Sequence, residues 1–218
     1  MVKSKTLTSS DITSYYMQYL LENNSKPSSV YVFAKENKFE EATFYEYFGS
    51  FEAIEKSIFT TFFEVTLSTL VKSKDYETFD ARNKLLSFYF TFFENLSANR
   101  SFILMLLDDK KNQLKNLNIL SDFKKNFTEY IGSLDIETID FKQKNITQLQ
   151  LKSIKESAWI QFLVTLKFWM SDSSSSFEKT DIFIEKSVNT SFDLIDTTPL
   201  KSIIDFGKFL YKEKMNMK

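Results

Sequence analysis

The amino-acid sequence predicts an all-α protein with a substantial apolar core. Three glycines and two prolines in 218 residues are too few for the many tight turns of a β-sandwich or barrel. Hydrophobic residues make up 43% of the chain and aromatic residues 17%, which is enough apolar surface to offset the entropy lost when the chain orders. Along the chain these residues recur three and four positions apart, the spacing of one helix face.

Two short helices are predicted first. Residues Ile12 to Leu20 place apolar side chains on one face, with Ser10 or Asp11 as the N-terminal cap and an end near Glu22. After a breaker cluster, Val30 to Ala34 repeats the spacing in a shorter helix. Propensity alone would also allow a strand there, but no neighbouring run offers a partner.

A tight turn and a third helix come next. Asn37 and Lys38 form the turn, since asparagine tolerates the left-handed backbone conformation. The third helix covers about Glu40 to Phe48. We expect Gly49 to end it in the left-handed conformation and Ser50 to cap the helix that follows.

The middle of the chain is the most apolar part. The fourth helix is predicted to reach about Val71, and the run from Leu85 to Leu96 is apolar on nearly every side, as expected for a helix inside a bundle. Ser101 to Leu107 fits a helix or a strand. A further amphipathic helix begins near Leu114 and closes near Gly132.

The C-terminal part predicts a pair of long helices and a last shorter one. Ile146 to Met170 and Phe177 to Ile195 are the two long helices, joined by a small polar linker over residues 171–176. Pro199 suits the first position of the last helix, which runs from Leu200 to about Lys212.

The composition narrows the function classes. The chain has no cysteine and no histidine, which removes disulfides, zinc-thiolate sites, the commonest general base and the commonest metal ligand. We therefore expect no catalytic residues, no metal and no cofactor. Lys3 and Lys5 precede polar residues rather than an apolar run, and no run approaches membrane-spanning length, so we expect a cytoplasmic protein.

One local pattern carries functional content. It consists of Phe33-Ala34, the run from Thr43 to Phe48, and Ser50 to Ile54. This pattern resembles the DNA-binding signature of the TetR family: an aliphatic-Ala pair, a Gly-Val-Ser turn, a Thr-Leu-Tyr-x-His/Tyr-Phe recognition helix and a Ser-Lys-Glu-x-Leu start to the next helix. The resemblance covers about Ile12 to Phe62. It departs from the family at Lys38 and Glu40, which stand where the turn usually has Gly and Ser.

The resemblance implies a helix-turn-helix domain over residues 1–50 and a helical ligand-binding and dimerisation domain over residues 51–218. In the family, the equivalents of Thr43, Tyr45 and Tyr47 approach DNA, so these are the candidate DNA contacts, together with Lys35 and Lys38. For both tyrosines the alternative is ordinary packing. Phe44 and its neighbour four residues on are expected to anchor the helix to the core.

The charges of this region argue against strong DNA binding. Residues 1–50 hold five basic and six acidic side chains, and Glu41 and Glu46 lie on the predicted recognition helix. The two arginines, Arg82 and Arg100, lie outside it, so the commonest guanine contact is missing. Neutralising phosphates supplies most non-specific affinity, and the whole chain, with 28 basic and 29 acidic residues, brings no excess of positive charge.

Buried aromatics of the body supply candidate ligand contacts. An apolar cavity between helices is a common ligand site; the alternative for each residue is a filled core. The candidates for such a cavity are Phe88, Phe92, Met105, Trp159, Phe162 and Trp169.

Two functions remain open at this stage. The first is a TetR-like regulator, a homodimer through helices 146–170 and 177–195, in which a small apolar ligand controls DNA binding. The second is a protein of the same fold that has lost DNA binding and holds a lipid or isoprenoid, or docks on a partner enzyme. The acidic third helix motivates this alternative.

Overall fold

The computed structural model describes residues 7–107, 117–136 and 144–196, and within these ranges it is helical with no strand. The all-α prediction is confirmed. The main helices are α1 (Ser9–Asn23), α2 (Val30–Glu36), α3 (Glu41–Tyr47), α4 (Phe51–Val71), α5 (Ala81–Ala98), α6 (Arg100–Leu107), α7 (Ser121–Ser133), α8 (Lys144–Ser171) and α9 (Glu178–Asp196). Across these ranges, no helix combines the length and apolar character needed to cross a membrane.

Helix α1 begins one residue before the predicted caps. Thr8 is the cap, since its hydroxyl accepts from the backbone N–H of Asp11 at 3.2 Å, and the Asp11 carboxylate accepts from the Thr8 N–H at 3.0 Å. This reciprocal pair is a capping box, which satisfies two backbone donors that a helix start leaves unpaired. Asp11 therefore contributes to the cap from inside the first turn.

The turn between α2 and α3 departs from the prediction in one detail. Lys38, not Asn37, takes the left-handed conformation, with φ of 59°, while Asn37 has φ of −92°. The turn is closed by the N–H of Phe39, which donates to the Ala34 carbonyl oxygen at 3.0 Å. Lysine carries a steric cost there that glycine, the residue of the TetR pattern at this position, does not.

Helix α4 starts as predicted, but α3 ends differently. The Ser50 hydroxyl accepts from the N–H of Ala53 at 3.3 Å. Gly49 does not have a positive φ, so the predicted left-handed end is wrong. Phe48 instead leaves α3 in an extended conformation with φ of −138°.

The described residues fall into two compact units. One lies within Met1–Thr69 and Thr91–Phe127, and the other within Leu70–Phe90 and Thr128–Lys218. The first is filled by rings such as Phe63 and Phe92, both of which lie against Phe123. The functional boundary predicted at residue 50 is not tested by this packing and stays a prediction.

The polar linker between α8 and α9 contains a buried anchor. Asp172 is 7% exposed and accepts hydrogen bonds from the backbone N–H and hydroxyl of both Ser174 and Thr180, at 2.7 to 2.9 Å. Burial would raise the pKa of Asp172, but these four hydrogen bonds outweigh it and hold the pKa well below the ordinary value. The linker is therefore a fixed turn.

Gly132 lies inside α7 rather than beyond its end. A Cβ at this position would require the flexible end of the Lys155 side chain of α8 to move. Glycine here makes room for that side chain. Residues 101–107, open between helix and strand in the sequence, form α6, whereas the predicted helix from Leu200 and the start near Leu114 lie outside the described residues.

Candidate functional site

The N-terminal part of the chain is held together by a cluster of aromatic rings. Phe33 of α2 is fully buried and lies 5.6 to 6.2 Å, centre to centre, from five other rings at nearly perpendicular angles. These rings belong to Tyr16, Tyr19, Phe39, Phe44 and Phe51. Edge-to-face contacts of this kind add to the hydrophobic stabilisation. The cluster fixes α3 against α1, α2 and the start of α4.

Helix α3, anchored on this aromatic cluster, exposes two tyrosines to solvent. Phe44 is 0% exposed, whereas Tyr45 is 53% and Tyr47 42% exposed. Phe44 is therefore the core anchor that the sequence predicted, and Phe48 is a half-buried one. Thr43 lies half-buried beside them. Tyr45 also packs edge-on against Phe44, with ring centres 5.4 Å apart, so the DNA-contact role of the two tyrosines stays a prediction.

The second tyrosine is also bound to the N-terminal segment. The hydroxyl of Tyr47 donates to the backbone carbonyl oxygen of Leu7 at 2.9 Å. Because these two residues are forty positions apart, this bond places the start of the chain beside α3.

Charges of both signs surround α3. Lys35 and Lys38 are exposed, and so are Glu40 and Glu46. Glu46 lies on the side of α3 opposite Phe44, since it is two residues from it and each residue advances about 100° around a helix. The structure therefore places the predicted DNA contacts on α2, on the turn after it and on α3, and exposed carboxylates lie among them along the chain.

A buried polar group beneath this surface escaped the sequence analysis. Glu55 of α4 is 0% exposed. Its Oε1 accepts a hydrogen bond from the Tyr16 hydroxyl at 2.6 Å and forms an ion pair with Lys26 Nζ. Burial, reinforced by the hydrogen bond and negative charge of Glu55, raises the pKa of Tyr16, so its hydroxyl stays a proton donor. The only sequence signal was a glutamate on an otherwise apolar helix face, beside Ile54 and Ile58.

Five of the six predicted ligand contacts are core residues in the described structure. Phe88, Phe162 and Trp169 are fully buried, Trp159 nearly so. Trp159 stacks on Phe162 at 5.5 Å, and Phe88 stacks on Tyr130 at 4.9 Å. These residues lie in one compact unit. Phe92, which is buried, and Met105, which is half-buried, lie in the other.

Two hydroxyls lie within this aromatic core. The hydroxyls of Tyr76 and Tyr130 are 2.9 Å apart, and Tyr130 also donates to the Lys84 carbonyl oxygen at 3.1 Å. Burial raises the pKa of both tyrosines, and the neighbouring Tyr76 hydroxyl raises the pKa of Tyr130 further. Both hydroxyls therefore remain neutral, and they are polar groups in otherwise apolar surroundings.

The long helices α8 and α9 leave an apolar groove open to solvent. Its volume is about 560 Å³, and the rings of Phe168 and Phe183 stack inside it at 4.6 Å. The residues that line it are Phe168, Lys179, Ile182, Phe183, Lys186, Ser187 and Thr190. Farther along α8, Ile160 is 60% and Val164 51% exposed. The spacing of Ile160, Val164 and Phe168, four residues apart, could have identified this stripe from the sequence.

Comparison with known proteins supports a family assignment for this part of the molecule. A search of curated proteins gives no match. The family model described as the tetracyclin repressor-like, C-terminal domain matches residues 84–210, more than half of the chain. The chain therefore belongs to the tetracyclin repressor-like (TetR) family.

Proposed function

We propose that this chain is a dimeric transcriptional regulator of the TetR type, which contacts DNA through α2 and α3. The observation that carries the proposal is the form of α3. This seven-residue helix buries Phe44 and holds Tyr45 and Tyr47 in solvent, after the four-residue connection 37–40. A short helix anchored by one side and exposed on the other is the geometry of a helix-turn-helix recognition helix. The target would be chromosomal DNA, which agrees with the predicted cytoplasmic location.

The chemistry of the surface suits specific rather than general DNA binding. Tyrosine and threonine hydroxyls donate to phosphates or base edges, and Lys35 and Lys38 supply the positive charge. Two lysines per subunit neutralise few phosphates, so the affinity for random DNA should be low. We propose residues 1–50 as the DNA-contacting part and residues 51–218 as the part that dimerises and binds a ligand.

The groove between α8 and α9 supports the proposed dimer. On α9, Ile182 is 49% exposed and lines the groove, and Leu194 near the end of the helix is 59% exposed. Exposed apolar side chains on two neighbouring helices are expected where a second copy covers them. Two recognition helices would then contact two half-sites about one DNA turn apart.

The ligand part of the proposal depends on the aromatic core of the body. Phe88, Trp159 and Phe162 provide an apolar wall, and the Tyr76–Tyr130 hydroxyl pair offers hydrogen bonds within it. Such a combination suits a small apolar ligand with one polar group. We propose that this ligand enters by displacing side chains that pack against one another in its absence.

Titration of the purified protein with its own upstream DNA tests the proposal. At low salt we expect binding, and the logarithm of the binding constant should fall with the logarithm of salt with a slope of about −2 to −4, since four lysines of a dimer face phosphates. The matched variant Tyr45→Phe should weaken binding by about tenfold through loss of one hydroxyl per subunit. Absence of binding at low salt would contradict DNA recognition.

The glutamates of α3 favour one second candidate. Glu40 and Glu46 are exposed beside the two tyrosines, and a carboxylate near phosphates weakens DNA binding. A TetR-fold protein that holds a lipid or isoprenoid, or docks on a partner enzyme, would tolerate them. Native mass spectrometry of the same preparation distinguishes the two, because this candidate expects a carried lipid and no DNA complex.

A further inference from the structure

Glu55 stands apart from every other charged group in its surroundings. Among the described residues, it and Asp172 are the only charged side chains that are buried. Asp172 receives four hydrogen bonds from its own turn. Glu55 instead receives its donors from two distant parts of the chain, Tyr16 on α1 and Lys26 in the connection before α2. Its partners thus join three separate elements.

Burying the Glu55 carboxylate has an unfavourable desolvation free energy. Both donors meet Oε1, while no described residue donates to Oε2, which is also buried. Removing a carboxylate from water costs more than a single pair of partners returns, and apolar side chains of similar volume often replace a buried ion pair at no cost in stability. The three residues therefore contribute little to the free energy of unfolding, and we look for a different role.

Such a network restricts the relative orientation of the elements that it joins. Hydrogen bonds and ion pairs fix an angle and a register, whereas apolar contacts tolerate sliding. Lys26 is followed by the buried Pro27, and α2 begins at Val30. A fixed Lys26 therefore fixes the entry of the chain into α2.

The position of α2 is transmitted to α3. Phe33 of α2 packs on Phe44 of α3 with ring centres 6.2 Å apart, and the backbone bond from Phe39 to Ala34 closes the turn between them. The two helices therefore behave as one body whose orientation is set at its start.

We propose that Glu55 is a positioning residue, which aligns the α2–α3 pair on α4 through Lys26 and Tyr16. Without this alignment the pair stays folded but samples a range of orientations relative to α4. The consequence for DNA rests on the proposed function, because a recognition helix that samples several angles binds less tightly. The consequence for backbone motion does not depend on it.

The test replaces the network by apolar side chains in the full-length protein. The variant Tyr16→Phe with Lys26→Met and Glu55→Met should melt at the same temperature as the wild type or higher. Amide hydrogens of residues 29–48 should exchange about tenfold faster, and those of α9 should not change. The affinity for the upstream DNA should fall by about tenfold, since the bound orientation is less populated.

Three further variants complete the test. Lys26→Arg conserves the cation and should retain wild-type exchange and affinity. If the triple variant does not fold, Lys26→Met with Glu55→Gln decides, because this pair of changes removes the buried charge together with its cation and keeps the Tyr16 ring. The matched control Arg82→Met removes an ion pair with Asp193 and should leave residues 29–48 unchanged.

The outcomes separate the two proposals. Exchange rates of residues 29–48 within twofold of the wild type would overturn the positioning role. If the wild type binds no DNA at low salt, the proposed function fails, and the exchange rates alone decide whether Glu55 aligns the pair.

Discussion

The ring of Phe33 is completely covered by other rings of the same copy, whereas the stacked rings of Phe168 and Phe183 lie in a groove open to solvent. The first region presents tyrosines, lysines and glutamates outward from a closed apolar base. The second presents apolar side chains outward from helices whose inner faces are already packed. Both regions are rich in aromatic residues, so composition does not distinguish them.

The difference lies in which surface each region leaves for a partner. A polar surface above a buried aromatic cluster is suited to contacts that form and break, because little apolar area is exposed to water when the partner dissociates. An apolar stripe with two stacked rings is suited to a lasting contact. The N-terminal region should therefore be stable by itself, and the α8–α9 region should depend on a second copy.

The largest expected effect tests the closed region. Phe33→Ala removes a fully buried ring with five aromatic neighbours, so the free energy of unfolding should fall by about 3–5 kcal/mol. Chemical denaturation measures it. The matched control is Tyr31→Ala on the same helix, which is 58% exposed and should change stability by less than about 0.5 kcal/mol. Equal effects of the two changes would contradict the closed cluster.

The next effect tests the open region. Ile182→Glu places a charge on the wall of the groove, twice in a symmetric dimer, and should raise the dimer dissociation constant about a hundredfold, or about 2.8 kcal/mol. Sedimentation equilibrium measures it. Val71→Glu serves as the control, because Val71 is 61% exposed but does not line the groove. A monomeric wild type would remove the basis for the comparison.

A smaller effect is expected at the turn that joins the two helices of the groove. Asp172→Asn exchanges a carboxylate with four donors for an amide with one acceptor oxygen, and should cost about 1–2 kcal/mol at neutral pH. The pKa of Asp172 is lower in the folded state than its ordinary value of 3.8. Its contribution is therefore complete above that value and is lost as the pH falls toward the folded pKa.

Denaturation of both proteins between pH 7 and pH 2 measures this effect. The difference between wild type and Asp172→Asn should be constant above about pH 5 and shrink below pH 4. A difference independent of pH would show that the carboxylate charge contributes nothing to the turn.

Much of the fold could be predicted because helix periodicity is a local signal. The ends of α4 and α8 lie within two residues of their predicted positions, since the apolar spacing stops there. Residues that adopt the left-handed backbone conformation were harder to predict from the sequence. The turn after α2 uses Lys38 rather than Asn37, because the position in the turn, and not the intrinsic preference of the residue, decides which one must adopt positive φ.

The candidate site likewise contains some residues that the sequence could predict and others that it could not. The exposure of Tyr45 and Tyr47 follows from the burial of Phe44, which the helical spacing predicted. Glu55 and its partners could not be predicted, because Tyr16, Lys26 and Glu55 are brought together only by the packing of α1 on α4. Asp172 was hidden in a serine-rich segment that has the composition of an ordinary linker.

The sequence by itself determined that the chain is helical, where most helices lie and which face of each is apolar, because these depend on residues three and four positions apart. Only the tertiary structure decided which apolar faces are covered and which remain open, as at Phe33 and Phe183. It also decided that two charged side chains are buried. Both results depend on contacts between residues far apart in the chain, which periodicity does not record.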